Sequence, residues 1–249
     1  GEPKGVLLSH GNLTFSSQSG YHLFPNLVET SVSLSILPWA HSYGISAELH
    51  NWIQFGGKIG IAESTETIVE DIVKVKPTFL IAVPRIFNKI YSGLWQKMEE
   101  EGGLVLKLFK GAVEAAIENG KSGKKGLKYW LFDKIIYKKI REKLGGALDG
   151  ALTASAKMNP EIAYFFLGIG IPVYDAYGMT ETSPALTMNS PTGMKIGSVG
   201  KVLEKTKIVI DTSVCDDDTG EGEILAFGPQ VSIGGYYKKP EKTKQVFIE

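Results

Sequence analysis

Hydrophobic positions in the first hundred residues alternate between short continuous runs and longer helical repeats. The apolar runs at 31–37, 58–62 and 79–83 have the length of buried strands. Apolar residues spaced three or four apart predict helices at 67–76 and 85–101. Continuous apolar strands are typical of parallel sheets covered on both faces. The pattern therefore predicts an α/β fold, with a predominantly parallel sheet flanked by helices.

A basic helical insertion interrupts this alternation at about 104–144. The spacing predicts one helix over 106–119, closed by Gly120, since glycine commonly ends helices. A polar linker at 121–126 follows. A second amphipathic helix is predicted over 127–144.

The α/β pattern resumes after the insertion. Asn159-Pro160-Glu161 combines a helix cap, a first-turn proline and an acid, and predicts a helix start. A strand is predicted at 171–174, and the polar segment 175–182 follows it directly. Ligands bind at the carboxyl ends of strands in open α/β sheets, so this segment is a candidate binding site.

The last sixty residues are rich in glycine and β-type patterns. Strands are predicted at 206–210 and 223–227, joined by an acidic turn at 216–220. We therefore divide the chain at about residue 190. Residues 1–189 would form an α/β subdomain, and residues 190–249 a truncated β-rich subdomain.

Composition narrows the classes of function. The 249 residues include 27 Lys or Arg and 27 Asp or Glu, a net charge of zero that argues against a nucleic-acid partner. The single cysteine, Cys215, excludes an internal disulfide framework and a cysteine-based zinc site. The apolar stretch 163–174 is too short to span a membrane and is interrupted by glycine and proline. These features favour a cytoplasmic protein.

The insertion departs from this neutral balance. Residues 107–143 hold eleven Lys or Arg and four Asp or Glu. A solvated helical face is one interpretation. Peripheral contact with an anionic membrane surface is the sharper hypothesis.

Three patches carry residues suited to phosphate chemistry. Residues 1–5 combine glycines, whose N–H groups approach phosphate oxygens, with the cation Lys4. His41 follows a predicted strand and could face a pocket. In the segment 175–182, a tyrosine can stack on a base, a threonine can reach a phosphate and a glutamate can hold Mg²⁺.

These patches, in this order, resemble the adenylate-forming (AMP-binding) superfamily. The matching motifs are Gly1-Glu2-Pro3-Lys4-Gly5, Leu37-Pro38-Trp39-Ala40-His41, Tyr177-Gly178-Met179-Thr180-Glu181, and the runs at 196–201, 222–225 and 235–241. Residues 83–87 followed by a long basic helical insertion are similar to the long-chain fatty acyl-CoA synthetases.

The resemblance implies a two-step ligase reaction with fatty acid, ATP and coenzyme A as substrates and Mg²⁺ as cofactor. ATP activates the fatty acid to an acyl-adenylate, and the coenzyme A thiol then takes the acyl group. Catalytic roles are implied for Lys4 near the departing phosphates, His41 near the acyl–phosphate junction, Thr180 on the α-phosphate and Glu181 on Mg²⁺. Nucleotide contacts are implied for Gly1, Gly5, Ala154, Ser155, Ala156, Asp175, Ala176, Tyr177, Gly178 and Met179.

Two departures from the family pattern stand out. Ala154 and Ser155 replace glycines whose backbone lies against adenine, and a Cβ restricts both close approach and positive φ. The effect on nucleotide affinity would be small if φ there is negative. The Ser/Thr-rich start of the phosphate loop, the Thr-Gly-Asp motif and the C-terminal domain with its catalytic lysine are absent from the sequence.

The chain thus resembles a central fragment of the large N-terminal domain, and we expect it not to perform the full reaction alone. Two alternatives stay open. One is a degenerate homologue that serves as a binding module. The other is an adenylating enzyme that transfers its acyl group to a carrier protein.

Overall fold

The computed structural model describes residues 2–215 and 220–248, and a seven-stranded sheet forms its centre. The strands are β1 Val32–Ser35, β2 Lys58–Ile61, β3 Phe79–Ala82, β4 Gly150–Thr153, β5 Val173–Gly178, β6 Ala185–Met188, β7 Lys201–Val202, β8 Lys207–Asp211 and β9 Glu223–Phe227. The large sheet has the order β2-β1-β3-β4-β5-β6-β7, and β8 pairs with β9 separately. Strands β1 to β5 are parallel neighbours, whereas β6 and β7 are added antiparallel. The predicted α/β class is confirmed.

Helices cover the faces of the sheet. They are α1 His10–Leu23, α2 Asn51–Phe55, α3 Ile68–Val75, α4 Pro84–Glu101, α5 Gly103–Ser122, α6 Leu127–Phe132, α7 Lys138–Lys143, α8 Pro160–Gly168 and α9 Pro240–Val246. A π-helical segment at Gly44–His50 leads into α2, and a second π-helical segment at Asp133–Tyr137 joins α6 to α7. No helix among the described residues combines the length and apolarity needed to cross a bilayer.

Strand β3 separates two hydrophobic cores, because successive side chains point to opposite faces. Leu80 packs with the helices of the insertion and α8. Phe79 and Ile81 pack on the other face, with Trp52 and Tyr174. Coverage of both faces explains the uninterrupted apolar sequence of this strand.

The predicted end of the first insertion helix is wrong. Helix α5 continues past Gly120 to Ser122, and Gly123 at φ +67° ends it. Gly120 instead allows close packing, since a Cβ there would collide with the backbone carbonyl of Tyr164 in α8. A glycine that admits a neighbouring helix looks the same in sequence as one that ends a helix. The predicted helix start at Asn159 is confirmed, since its side chain caps α8.

The predicted end of the strand at residue 174 is also wrong. Strand β5 runs on to Gly178, so the polar segment begins inside the sheet. The extension exists because Ala176 pairs with Met188 of β6, a partner that local sequence does not reveal.

The C-terminal strands were predicted correctly, as β8 and β9. Residues 216–219 of the predicted acidic turn lie outside the described residues. Strand β7 at Lys201–Val202 still belongs to the large sheet. The subdomain division at about residue 190 stays a prediction.

Candidate active site

A cleft of about 330 Å³ lies beyond the carboxyl ends of the parallel strands. Residues that follow β1, including His41, form one wall. Ala154 and Ser155, directly after β4, form a second, and residues 176–181 form a third. This is the position where open α/β sheets bind ligands, because loops from neighbouring strands converge there.

Tyr43 fixes the wall that carries His41. Its hydroxyl lies 3.3 Å from the carbonyl oxygen of Ala82 and 3.1 Å from that of Leu152, and it donates toward both. These carbonyls belong to the ends of β3 and β4, so the His41 segment is anchored at the carboxyl edge of the sheet. Burial, and then the charges of Glu48 and Asp175, raise the pKa of Tyr43 well above its usual value. The Tyr43 hydroxyl therefore stays protonated as a donor.

A buried carboxyl group supports the same wall. Glu48 is fully buried and accepts hydrogen bonds from the Ser33 hydroxyl at 2.6 Å and from the Trp39 indole at 3.3 Å. Burial raises the pKa of Glu48, and the hydrogen bonds only partly oppose that shift. Ser46 lies nearby in the cleft wall, and its buried hydroxyl has no hydrogen-bond partner among the described residues. The cleft therefore holds an unused polar group.

The turn after β5 brings the third wall against the first. The hydroxyl oxygens of Ser42 and Thr180 lie 3.2 Å apart, joining the two segments across the cleft. Gly178 sits so close to the backbone carbonyl of Pro184 that a Cβ would collide with it. The Thr182 hydroxyl accepts from the Met179 amide at 3.1 Å and donates to the Pro184 carbonyl at 2.8 Å. This turn is held by its own hydrogen bonds.

A chain of three side chains links the ends of the sequence at Glu181. The Tyr236 hydroxyl donates to Glu181 Oε1 at 2.6 Å and accepts from Lys4 Nζ at 3.3 Å. The Lys4 ammonium also lies 4.5 Å from the centre of the Tyr236 ring. Burial, followed by the hydrogen bond and charge of Glu181, raises the pKa of Tyr236 to about 12. Tyr236 was missed as a site residue, although its motif at 235–241 was part of the recognised set.

The cleft gathers most of the predicted site residues. Those in its wall are His41, Ala154, Ser155, Ala176, Tyr177, Gly178, Met179, Thr180 and Glu181. Lys4, Gly5, Ala156 and Asp175 are not in the wall. Gly1 lies outside the described residues. The roles of all these residues in catalysis and nucleotide binding stay predictions.

The residues outside the wall have other contacts. Lys4 reaches Glu181 through Tyr236, and the Gly5 carbonyl accepts from the Tyr237 amide at 2.8 Å. Asp175 is half-buried, and burial raises the pKa of its carboxyl group despite bonds from the Met158 and Ala176 amides.

Ser155 adopts the conformation for which glycine is favoured. Its φ is +73°, in the left-handed region, whereas Ala154 is not among the positive-φ residues. The family pattern of glycine at this place therefore has a local physical reason at Ser155. A small effect on nucleotide affinity was expected only for a negative φ, so that expectation does not hold for Ser155.

The site fits a metal ion that is bound largely through a substrate. Within the described residues, no group of three or more His, Cys, Asp or Glu side chains is arranged to hold a metal. Mg²⁺ is commonly held by one or two carboxylates together with substrate phosphates. Glu181 offers one such carboxylate, and Tyr236 engages its Oε1.

Curated relatives of this chain are acyl-CoA ligases by name. Long chain acyl-CoA synthetase 8 from Arabidopsis thaliana is 29% identical over 99% of this chain and 37% of its own length. Long-chain-fatty-acid–CoA ligase FadD15 from Mycobacterium bovis is 27% identical over 100% of this chain and 41% of its own length. The chain thus spans about two fifths of these relatives.

Solved structures share the fold. Apo MatB from Rhodopseudomonas palustris superposes with a TM-score of 0.67 at 22% identity, over 100% of this chain and 41% of that one. O-succinylbenzoate coenzyme A synthetase (MenE) from Bacillus subtilis in complex with AMP gives 0.65 at 21%, over 100% and 42%. A model of the AMP-binding enzyme family matches residues 1–237. The chain therefore belongs to the AMP-binding enzyme family.

Proposed function

We propose that the protein containing this chain is a long-chain fatty acid–CoA ligase. It would activate a fatty acid with ATP to an acyl-adenylate, release pyrophosphate, and transfer the acyl group to the thiol of coenzyme A. The observation that carries the proposal is the cleft at the sheet edge, where His41, Tyr177, Thr180 and Glu181 converge.

The first chemical step must bring two anions together, a carboxylate and the α-phosphate of ATP. Catalysis then depends on positioning and on positive charge near the phosphates. Thr180 supplies a hydroxyl for the α-phosphate, and Ser42 positions that hydroxyl from 3.2 Å away. Lys4 supplies the cation, and the Tyr236 hydroxyl connects its ammonium to the carboxylate of Glu181. A bound Mg²⁺ would neutralise phosphate charge beside Glu181.

His41 can act as a hydrogen-bond donor where the acyl group meets the phosphate. Its Nδ1 accepts from the Tyr43 amide at 3.2 Å, an arrangement that leaves Nε2 to carry the proton of the neutral ring. Tyr177 offers its ring to adenine. Ser46 adds the buried hydroxyl that has no partner in the described residues.

The choice of a long-chain acid and of coenzyme A rests on the relatives. Those named above are long-chain acyl-CoA synthetases by name, and the basic insertion resembles that group. The similar structures include MenE, an O-succinylbenzoate coenzyme A synthetase by name, so the fold also serves a ligase named for a different acid. Transfer to a carrier protein is the competing outcome. Product analysis of the full-length protein, for a coenzyme A thioester or an acylated carrier, distinguishes the two.

The test of the cleft is a binding titration of the 249-residue chain with a non-hydrolysable acyl-adenylate analogue and Mg²⁺. We expect saturable binding that Glu181→Ala weakens. Glu99→Ala, at an exposed position of α4 outside the cleft wall, is the matched control and should bind like the parent chain. Absence of binding would contradict the assignment of this cleft and favour a degenerate, non-catalytic homologue.

Peripheral membrane contact is part of the proposal. Around the start of α6, Leu127, Trp130 and Leu131 are 88%, 59% and 58% exposed. Lys125 lies beside this patch, with its ammonium 5.9 Å from the centre of the Trp130 ring. Exposed apolar residues flanked by lysines suit an anionic lipid surface.

A further inference from the structure

A second cavity is formed jointly by helix α4 and the helices of the basic insertion. It has a volume of about 350 Å³ and lies between α4, α5 and the α6–α7 helix. None of its wall residues belongs to the cleft described above. A volume in this range, with apolar walls and a few polar groups, is typical of small-molecule sites.

The wall of this cavity consists of apolar residues and charged residues only. Every uncharged residue in it is apolar, including Met98, Leu108 and Phe109. Phe109 is buried, whereas Leu108 is 45% exposed, so the cavity opens to solvent with an apolar interior. An alkyl chain is the kind of group that such a wall stabilises.

The charged residues of the wall are mostly cations. They are Lys97, Lys139 and Lys143, against the single acid Glu101. Within the described residues, none of these lysines forms an ion pair. The pKa of Lys143 is lowered, first by its contact with Lys97 and then by desolvation, and the charge of Glu101 only partly opposes that shift. Two ammonium groups held together favour an anion between them.

A neighbouring cavity indicates where the anionic group would sit. It has a volume of about 480 Å³ and shares Lys97, Lys143, Leu94 and Ile140 with the first. Its other wall residues include several polar side chains, such as Gln96. The two lysines thus stand where the cavities meet, and the apolar branch toward α5 suits an alkyl chain better.

We propose that this cavity binds the anion of a fatty acid, with its carboxylate between Lys97 and Lys143 and its alkyl chain among Met98, Leu108 and Phe109. The site is separate from the adenylate cleft and needs neither ATP nor Mg²⁺. It would hold a fatty acid between α4 and the insertion, whose helix α6 carries the exposed Trp130.

Photolabelling of the 249-residue chain tests the site. The probe is dodecanoate with a diazirine on its alkyl chain, used below its micelle concentration and identified on peptides by mass spectrometry. We expect label on α4 and α5 that persists when an excess of the acyl-adenylate analogue fills the other cleft. Label confined to residues of the adenylate cleft would overturn the proposal while leaving the proposed function intact.

Variants of the cavity wall test the roles of the two lysines and of the apolar residues separately. Lys97→Gln with Lys143→Gln should reduce labelling at α5 about tenfold, as expected for loss of charge-assisted hydrogen bonds. Lys107→Gln with Lys110→Gln is the matched control, since both lysines lie on α5 outside the cavity wall. Equal loss in the two pairs would overturn the proposal. Val105→Glu should abolish labelling at α5, and its 43% exposure makes it tolerable for folding.

Ligand chemistry provides an independent readout. Competing fatty acids should gain affinity about fourfold for each added CH₂ from octanoate to dodecanoate, the factor expected for burying a methylene group. Dodecanol lacks the carboxylate and should compete at least several-fold more weakly. Equal competition by the alcohol would show that the lysines do not recognise an anion, and would overturn the proposal.

Discussion

Replacement of Ser155 by glycine should stabilise the protein, contrary to the usual effect of adding a glycine. Ser155 has a φ of +73° and is exposed, so its side chain contributes little buried area. A left-handed conformation costs a non-glycine residue about 1–2 kcal/mol. Glycine also increases the conformational freedom of the unfolded chain, which offsets about 0.4–1 kcal/mol of this gain. We expect a net gain of about 0.5–1 kcal/mol for Ser155→Gly.

The measurement is urea unfolding of the 249-residue chain, supported by thermal unfolding. A gain of this size corresponds to a rise in Tm of about 1–4 °C for a chain of this length. Ser92→Gly is the matched control, because Ser92 is exposed within α4. It should lose about 0.5 kcal/mol, the difference in helix propensity between serine and glycine.

The same substitution bears on the cleft. Ser155 belongs to the cleft wall, so removal of its Cβ lets a nucleotide approach the backbone more closely. We expect the acyl-adenylate analogue to bind more tightly to Ser155→Gly than to the parent chain. A neutral or destabilising Ser155→Gly would refute the strain argument, and an unchanged Kd would refute the steric one.

Three further predictions address other parts of the molecule. Tyr236→Phe should lower the free energy of unfolding by about 1 kcal/mol at pH 8, through the lost hydrogen bond. Because the folded pKa of Tyr236 is about 12, above its unfolded value, that group's contribution is complete below about pH 10 and lost toward pH 12. The deficit of the variant should therefore shrink at pH 10.5, and urea unfolding that shows no such narrowing contradicts this assignment. Burial raises the pKa of Glu48, so its stabilisation is present below the unfolded pKa and is lost as pH rises through the folded pKa. The free energy of unfolding of Glu48→Gln, relative to that of the parent chain, should therefore be higher at pH 8 than at pH 4. A difference that is the same at both pH values would argue against a raised pKa of Glu48. Neutralising Lys124, Lys125 and Lys128 to glutamine should weaken co-sedimentation with anionic vesicles at least tenfold, since each lysine contributes about 1 kcal/mol near such a surface. Zwitterionic vesicles serve as the control, and binding that is insensitive to salt would count against the membrane proposal.

The local sequence pattern determined much of the framework. Strand β3 was predictable because both of its faces are buried and its sequence is apolar throughout. Helix α8 was predictable because Asn159 and Pro160 satisfy local rules for helix starts. Helix α1 was missed, since His10–Leu23 is rich in small and polar residues and has only a weak apolar face. Periodicity is informative only where one side of an element is clearly apolar.

The motifs located the cleft, but only the tertiary structure decided how its parts meet. The backbone conformation of Ser155 is not encoded by its residue type, which favours negative φ. The end of β5 depends on pairing with β6, and Glu181 depends on Tyr236, which is 55 residues away in the chain. Lys4 reaches the same tyrosine across 232 positions. Local sequence fixes propensities over a few residues, whereas these contacts form only when the packed sheet brings distant segments to the same edge.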